Sequence, residues 1–590
     1  MGNIKHFFRP YKKLLIIGPA FKLMEAILEL LLPFFMSKVI DVGLKNGDKA
    51  YVWKMGMIML ITAIVGVVCA LICQYSASLV SQGMGTDIRN ALFKHMETLS
   101  GKEQDKFGTS SLVNRITNDV NQIQLAVAMF IRLVIRAPFL CIGGLIMSFV
   151  LDVSLSFILL IVIPVFILIL YFTMKKSIPL YGNVQKKLDE ISLKLRENLS
   201  GVRVIRAFAR KDREKERFDR INNEYAVNSV KVGKISAMLN PLTSVVLNFA
   251  IVAILWAGAV RVNNGLMETG EVIAIVGYVT QILAAMIVIS NLVVIFTKAS
   301  ASARRINEVL GTHTSITNPE KSQELEVDES IPAVEFNSVF FAYKENSDNI
   351  KDTSSYALAD ISFRIMKGES FGVIGGTGSG KSTVINLIPR FYDNQKGSVK
   401  VFGKEVKNYN LTKLREIIGL VPQKSVLITG TIADNLRWGK ENAPYEELKK
   451  AAAIAQAEEF INKLPEGYDT PIRRGGVNVS GGQRQRLAIA RALVKKPEIL
   501  ILDDSFSALD YATDAALRKA LKEKAKDTTV IIISQRASTL RNCDSILVLN
   551  EGETVGLGTH EELLKTCEVY QEICRSQEVA GVDESVCNGI

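Results

Sequence analysis

The sequence predicts two domains of different fold class: an α-helical membrane domain of six transmembrane helices and a cytoplasmic α/β domain containing a phosphate-binding loop. Three observations support this division. The N-terminal half contains six long apolar segments, whereas residues 333–575 alternate strand-like and helix-like segments. A glycine-rich loop follows an apolar strand near the start of the second region. The chain has 590 residues, which is too many for one hydrophobic core.

Composition also predicts where each domain begins and ends. We expect the membrane domain to cover residues 1–310 and the α/β domain to cover 333–575. Residues 311–332 are polar and acidic without a clear period, which is typical of a linker. We expect residues 576–590 to form a disordered tail.

Each of the six apolar segments is long enough to cross a bilayer, which requires about 20 residues. Helical periodicity continues through the long connections, so the spanning helices should extend into the cytoplasm. The predicted spans lie near residues 14–43, 55–80, 122–151, 153–174, 237–262 and 271–297.

The distribution of basic residues predicts the orientation of the spans. The long connections at 81–121 and 175–236 are rich in Lys and Arg, whereas residues 262–270 contain neither. Because cytoplasmic loops collect basic residues, we predict a multi-pass protein of the cell membrane with both termini in the cytoplasm. The net charge of +11 fits this interpretation better than a nucleic-acid partner. The seven cysteines show no metal-ligand or disulfide spacing.

Ionisable residues inside the predicted spans are costly in lipid and are therefore candidates for function. Lys22, Glu25 and Glu29 lie on the first span, within two helical turns. Arg132 and Arg136 are four residues apart on the third span and share a helix face. They could form ion pairs that hold the bundle together, or line a polar cavity that contacts a small-molecule substrate.

The glycine-rich loop matches the phosphate-binding pattern at every required position. Its glycines allow backbone N–H groups and a helix N-terminus to point at a phosphate chain. Lys381 would pair with the terminal phosphates, and the Ser382 hydroxyl would hold Mg²⁺. A chance match is improbable because the flanking strand and helix are present as well. The loop consists of Gly375, Gly376, Thr377, Gly378, Ser379, Gly380, Lys381, Ser382 and Thr383.

Two further motifs follow in the α/β domain. Asp503 and Asp504 end an apolar strand, and Asp503 is placed to hold Mg²⁺. A second glycine-rich turn precedes an apparent helix over residues 484–494 and predicts a second anion site. One ATP cannot use two such sites in one small domain. The second turn consists of Val479, Ser480, Gly481, Gly482 and Gln483.

This combination of motifs resembles the ATP-binding cassette transporters of the exporter type, and the resemblance covers nearly the whole chain. It implies that two nucleotide-binding domains meet head to tail. Each ATP then lies between the phosphate loop of one domain and the signature turn of the other. It also implies a domain-swapped membrane region, in which the fourth and fifth spans cross to the partner subunit.

The resemblance assigns roles to further residues. Tyr343 matches the aromatic residue that stacks on adenine, although it could instead be a core-facing strand residue. Gln423 matches the glutamine that contacts Mg²⁺, and Asp510 belongs to a loop that crosses the dimer interface. Residues 201–208 match a cytoplasmic segment that leads to a coupling helix.

Two catalytic positions depart from the family pattern. The family usually has Glu where this chain has Asp504, and His where it has Gln535. Asp reaches about 1.5 Å less far than Glu, and Gln cannot carry positive charge. A misplacement of about 1 Å can slow a reaction on the order of 10²-fold. Both changes spare ATP binding and impair hydrolysis. In the signature, Val479 replaces the usual Leu.

These departures resemble the degenerate-site subunit of heterodimeric bacterial multidrug exporters. The partner would then be a second half-transporter that carries the catalytic Glu and the switch His. We expect ATP and Mg²⁺ as cofactors, and a hydrophobic or amphipathic compound as substrate. The alternatives are a homodimeric lipid or peptide exporter with slow ATP turnover and a regulatory cassette ATPase that transports nothing.

Overall fold

A computed structural model of the chain describes residues 4–319, 330–343, 356–524 and 527–579. These residues form two compact units. The membrane unit contains the described parts of Met1–Glu97 and Gly108–Thr312. The α/β unit contains Thr98–Phe107 together with the described parts of His313–Ile590.

The membrane unit is built from long helices. Short 3-10 or π-helical segments adjoin them at Ile4–Tyr11, Val39–Leu44, Arg115–Asp119 and Phe130–Val134. The α-helices of this unit are α1 Lys12–Lys38, α2 Lys49–Thr98, α4 Thr109–Asn114, α5 Val120–Met129, α6 Arg136–Leu151, α7 Val153–Ser200, α8 Val202–Ala207, α9 Lys211–Ala237, α10 Leu239–Asn263 and α11 Thr269–Leu310.

The prediction of six spanning helices is confirmed. Five helical stretches in the described residues are long and apolar enough to cross a membrane: Lys49–Thr98, Thr109–Leu151, Val153–Ser200, Lys211–Asn263 and Thr269–Leu310. Helix α1, with 27 residues, is the sixth span, and it carries Lys22, Glu25 and Glu29 within its apolar stretch. At about 1.5 Å per residue, the longest helices extend far beyond the hydrocarbon core.

Helix α11 lies at the centre of the membrane unit and packs against α1, α5, α6 and α10. The outer halves of α7 and α10 share an apolar core with α11 that includes Phe166, Ile254 and Ile275. The hairpin formed by α7, α8 and α9 contributes α7 to this packing, and α7 and α9 also pack against each other. It leaves Leu199 75% and Phe208 73% exposed.

The α/β unit contains a six-stranded sheet of order β12-β11-β3-β10-β9-β6 and a four-stranded sheet of order β2-β1-β4-β5. In the larger sheet, β11, β3, β10, β9 and β6 are parallel. The strands are β1 Val334–Phe341, β2 Leu358–Ile365, β3 Ser370–Gly375, β4 Lys396–Val401, β5 Lys404–Glu405, β6 Ile418–Val421, β7 Gly430–Thr431, β8 Pro471–Ile472, β9 Ile499–Asp503, β10 Thr529–Ile533, β11 Ser545–Asn550 and β12 Glu553–Gly558.

Strands β9 and β10 are buried along their whole length because helices cover both faces of the sheet. Parallel strands present their carboxyl ends at one edge, where ligands of such sheets bind. The helices of this unit are α3 Gly101–Phe107, α12 Lys381–Leu387, α13 Leu411–Glu416, α14 Ile432–Arg437, α15 Tyr445–Ile454, α16 Glu458–Asn462, α17 Gly481–Val494, α18 Tyr511–Lys524, α19 Ala537–Leu540, α20 His560–Thr566 and α21 Glu568–Val579.

The structure differs from the expected domain bounds in two places. Residues 98–107, expected in the membrane domain, belong to the α/β unit. The expected tail over 576–590 was wrong at its start, because α21 continues to Val579. The remainder of that tail, and residues 320–329 of the expected linker, lie outside the described residues.

Candidate nucleotide site

A cavity of about 350 Å³ opens at the carboxyl edge of the larger sheet. Three strand ends meet there, since β3 leads into the glycine-rich loop, β9 ends at Asp503 and β10 ends before Ser534. The topology therefore brings together residues that are far apart in the sequence. The lining residues are Tyr343, Ala357, Thr377, Gly378, Ser379, Gly380, Lys381, Ser382, Thr383, Gln423, Asp503, Asp504, Ile533, Ser534 and Gln535.

The glycine-rich loop wraps around the Lys381 ammonium group. Lys381 Nζ donates to the carbonyl oxygens of Gly375 at 2.8 Å and Gly376 at 2.5 Å. Burial lowers the pKa of Lys381, because it removes water from the charged form. An anion in the cavity would offset that cost. Gly380, with a φ of +97°, precedes α12, and a Cβ there would lie 2.6 Å from Leu358 Cδ2.

Asp503 lies beside the loop with a largely buried carboxyl group. Its Oδ2 is 3.5 Å from the Ser382 hydroxyl oxygen. Burial, and secondarily the neighbouring charge of Asp504, raises the pKa of Asp503. A hydroxyl, a carboxylate and the nearby Gln423 amide provide the oxygen ligands that Mg²⁺ prefers, so these residues fit the ion.

Asp504 adopts a left-handed backbone conformation with a φ of +46°. Asp tolerates this conformation better than most residues do. Its backbone N–H donates to the Ile533 carbonyl oxygen at 2.9 Å, and its own carbonyl accepts from the Ser507 hydroxyl at 2.9 Å. The first bond ties the end of β9 to the end of β10, and Asp504 and Gln535 line the same cavity.

Tyr343 remains 46% exposed and lines the cavity, so it is not a core residue. Its hydroxyl lies 3.1 Å from the Thr383 hydroxyl. Its ring packs edge-to-face against Phe341 and Tyr392, with centroid distances of 4.9 and 5.3 Å. The adenine role remains a prediction, but an exposed ring face at the cavity suits it.

The signature turn begins α17 and lies elsewhere in the unit. The Ser480 hydroxyl accepts from the Gln483 backbone N–H at 3.2 Å, and the Gln483 side chain accepts from the Ser480 N–H at 2.9 Å. This capping box leaves Ser480 exposed. None of the described residues 479–483 lines the cavity. Asp510 caps α18 by accepting from the Thr513 N–H at 2.9 Å.

The chain matches two family models: "ABC transporter transmembrane region" over residues 15–286 and "ABC transporter" over residues 358–507. The chain belongs to the ABC transporter family. It is 38% identical to the Bacillus subtilis protein "Uncharacterized ABC transporter ATP-binding protein YfiB", over 98% of each chain. It is 30% identical to the "ATP-dependent lipid A-core flippase" of Vibrio parahaemolyticus, over 97% of this chain and 96% of that one.

The fold of the transporter is that of an ABC exporter. The structure of a bacterial Atm1-family ABC exporter with ATP bound superposes with a TM-score of 0.78 and 23% identity. The alignment covers 98% of this chain and 100% of the other. Membrane and ATP-binding domains are therefore fused in one chain, and exporters of this kind work as dimers with the ATP-binding domain in the cytoplasm.

Sequence reasoning missed Gln577, which brackets the segment containing Gln535. Gln577 Nε2 donates to the Gln535 carbonyl oxygen at 2.7 Å, and Gln577 Oε1 accepts from the Ala537 N–H at 2.9 Å. The sequence-based expectation of a disordered tail over 576–590 includes Gln577, which instead lies on α21. Apolar residues spaced three or four apart indicated the helix: Val569, Tyr570, Ile573 and Cys574.

A second missed residue, Tyr392, connects helix α3 of the transporter to the aromatic cluster beside the cavity. The Tyr392 hydroxyl donates to Asp105 Oδ2 at 2.7 Å. Burial raises the pKa of Tyr392, and the hydrogen bond to Asp105 raises it further, so the phenol stays protonated. A Cβ on Gly101 would lie 3.1 Å from the Tyr392 ring, so α3 packs closely on it.

Four of the five charged residues predicted inside the spans form two ion pairs, and the fifth, Arg132, belongs to neither pair. Lys22 Nζ lies 2.7 Å from a Glu25 carboxylate oxygen on the same helix. Arg136 Nη2 lies 2.7 Å from Glu29, which joins α6 to α1. Arg132 has no carboxylate partner among the described residues, and its Nη2 lies 3.4 Å from the Ser78 hydroxyl.

Proposed function

We propose that this chain is one half of a heterodimeric ABC exporter that moves hydrophobic or amphipathic compounds, including drugs, across the cell membrane. Its own ATP site would bind nucleotide but hydrolyse it poorly. Its signature would complete the partner subunit's site. The observation that carries this proposal is the pairing of Asp504 and Gln535 at a cavity that otherwise has every binding feature.

ATP binding would use the loop, Lys381 and Tyr343. The loop N–H groups and the N-terminus of α12 would hold the phosphates, and Tyr343 would stack on adenine. Ser382, Gln423 and Asp503 would hold Mg²⁺, which would neutralise part of the negative charge on the phosphates when bound. None of these groups depends on Asp504 or Gln535, so binding should be retained.

Hydrolysis requires a water molecule aligned with the γ-phosphate, and catalysis there is mostly positioning and electrostatics. Asp504 would fall short of that water by about 1.5 Å relative to Glu. The Gln535 side chain could donate a hydrogen bond to the γ-phosphate but supplies no charge. ATP should therefore remain at this site while the other site turns over.

The location of the signature supports a partner domain. Ser480 lies at an exposed helix N-terminus that does not line this chain's own cavity, and in the proposed dimer a second domain would contribute its signature to that cavity. Reciprocally, Ser480 would face the partner's ATP. A partner with Glu and His at the two catalytic positions would supply normal hydrolysis. The 30% identity with a protein named as a lipid A-core flippase favours a second candidate, a lipid exporter.

The proposal is tested with the full chain, purified alone and together with its partner. Alone, the chain should retain ATP and hydrolyse it slowly. The double variant Asp504→Glu with Gln535→His should raise ATP turnover at this chain's own site by about 10²-fold. This measurement requires a dimer in which the other subunit has an intact signature. The same double variant with Lys381→Ala is the matched control and should lose ATP binding. A chain that hydrolyses ATP at full rate alone, with no gain in the double variant, would contradict the proposal.

A further inference from the structure

Helices α1 and α2 and the π-helical segment Phe130–Val134 meet at one level of the membrane unit. A Cβ on Gly18 would lie 2.7 Å from Ile131 and 3.3 Å from Ser76, so the three elements are in direct contact. Lys22 lies one helical turn from Gly18, and Arg132 follows Ile131. Lys22 is roughly 15 Å along the helix from Lys12 and lies within the predicted span 14–43.

The charges at this level do not cancel. The five ionisable residues named above comprise three cations and two carboxylates, which leaves one positive charge. Both carboxylates have a close cation: Glu25 is paired with Lys22, and Glu29 with Arg136. Arg132 is therefore the cation without a countercharge among the described residues.

Arg132 is also poorly hydrogen-bonded. Its Nε is buried without a partner, and among the described residues its one hydrogen bond is from Nη2 to the Ser78 hydroxyl at 3.4 Å. A guanidinium has five donors in a planar fork that matches carboxylate, phosphate and sulfate groups. A charge at this depth without an acceptor is costly and is typically retained for function.

The local backbone and the surrounding side chains add to this argument. Arg132 lies within a π-helical segment, and such interruptions of an α-helix are frequent at functional sites. Phe130, on the same segment, is 45% exposed and packs edge-to-face against Phe296 of α11. The segment therefore carries a cation and a partly exposed aromatic ring, which are the two kinds of group that an amphipathic anion would contact.

We propose that Arg132, with Lys22 and Arg136 nearby, binds the anionic head of an amphipathic compound whose apolar body lies against the span. Such a site would restrict the substrates to amphipathic carboxylates, phosphates or sulfates. This inference about the substrate class rests on the proposed export function. The anion could be the head group of a membrane lipid or that of a transported compound, and both present the same chemistry.

The test uses the full chain, with its partner, in phosphatidylcholine nanodiscs. Binding is measured by fluorescence for two probes that share one apolar body, pyrenedecanoate as the anion and pyrenedecyltrimethylammonium as the cation, with empty nanodiscs subtracted. We expect the wild type to prefer the anion by at least about tenfold, and Arg132→Gln to remove that preference. Arg132→Lys should keep part of it, because charge remains but the planar fork is lost.

The matched control is Arg9→Gln, which removes the same charge from an exposed position and should change neither affinity. Bound ATP reports whether each variant is folded. If phosphatidylglycerol displaces the anionic probe, the ligand is a lipid head group; if it does not, the ligand is a transported compound. Equal affinity of the wild type for both probes, or an unchanged preference in Arg132→Gln, would overturn the site. Anion binding without export would instead contradict the export function and leave the site standing.

Discussion

Asp504 and Gln535, the two residues that differ from the usual family residues at this cavity, are held in place by different hydrogen bonds. The Asp504 backbone is fixed between the ends of β9 and β10 in a left-handed conformation. The Gln535 peptide is held from outside the sheet by Gln577. Because both backbones are restrained, the shorter carboxylate at 504 cannot gain reach by a shift of the chain. The proposed asymmetry between the two ATP sites follows from these positions.

A residue-level comparison separates the site that this chain contains from the partner site that we propose it completes. Asp504→Asn should lower ATP turnover of the heterodimer by no more than about twofold, since this site contributes little hydrolysis. Ser480→Ala should lower it by more than tenfold, because it removes a hydroxyl from the partner's ATP. Steady-state phosphate release from the reconstituted heterodimer measures both.

Ser507→Ala serves as a control for that comparison. It removes a hydroxyl that is bonded to the Asp504 carbonyl and should change turnover little. The asymmetric assignment is wrong if Asp504→Asn stops turnover as completely as loss of the partner's catalytic carboxylate does. Ser480→Ala also removes a helix cap, so its thermal midpoint should be recorded to separate unfolding from lost catalysis.

At this scale, sequence reasoning succeeded where the chemistry was contiguous. The loop from Gly375 to Thr383 and the carboxylate of Asp503 were recognisable, because their spacing reflects the local geometry of a strand and a turn. Gln577 and Tyr392 were not, because their roles depend on hydrogen bonds to residues 42 and 287 positions away. The pairing of Glu29 with Arg136, and the exclusion of Arg132, likewise required the packing of separate helices.

At the scale of elements, helix α3 is attached to the cavity through one side chain. Asp105 on α3 accepts a hydrogen bond from Tyr392, whose ring packs against Tyr343. A nucleotide that orders Tyr343 would therefore also restrict Tyr392 and α3. These contacts would link the occupancy of the site to an element that the sequence assigns to the membrane domain.

Breaking that attachment should uncouple ATP turnover from export. Tyr392→Phe keeps the ring and loses only the hydroxyl, and Asp105→Asn keeps the shape and loses the charge. We expect either change to leave ATP affinity within about twofold and to lower the compound exported per ATP hydrolysed, because one charge-assisted hydrogen bond is lost. Dye efflux and phosphate release in the same vesicles give that ratio. A ratio unchanged in both variants would show that α3 is not coupled through Tyr392.

The second prediction at the scale of elements concerns the contribution of the Glu29–Arg136 ion pair, which joins α1 to α6, to the free energy of unfolding. Arg136→Met leaves Glu29 without its partner and should lower the free energy of unfolding by about 2 kcal/mol. This is less than a fully buried pair loses, because the Arg136 and Glu29 side chains keep 27% and 30% of their surface exposed. The double variant with Glu29→Gln should recover most of the loss.

Thermal unfolding in detergent measures these variants. Lys45→Met is the matched control, since it breaks an exposed pair with Glu268 and should cost less than about 1 kcal/mol. If Arg136→Met and Lys45→Met have equal effects, the Glu29 pair does not stabilise the bundle. The interpretation that ion pairs hold the bundle together would then be wrong for Glu29 and Arg136.

For the whole molecule, periodicity and charge predicted which elements are present, but they did not predict how those elements pack. Six spans and an α/β domain followed from apolar length and strand alternation, and both are present. The grouping of residues 98–107 with the α/β unit did not follow, because hydropathy does not report which surface a short polar helix packs against. Hydropathy likewise does not predict which surface, if any, covers the exposed apolar residues of the α7–α9 hairpin.

Orientation in the membrane supplies the last prediction. The loops after α1 and α10 lie together at one end of the membrane unit, where Lys45 pairs with Glu268 at 2.8 Å and Asp41 accepts from the Gly270 N–H. Helix α8, at the other end of α7, carries the basic residues that favour the cytoplasm. In intact cells, Leu266→Cys should therefore react with a membrane-impermeant maleimide, and Phe208→Cys should react only after permeabilisation. Both positions are well exposed, at 65% and 73%, whereas the native cysteines among the described residues are buried or half-buried, so background labelling should be low. Labelling of Phe208→Cys from outside, with Leu266→Cys protected, would invert the topology and with it the direction of transport.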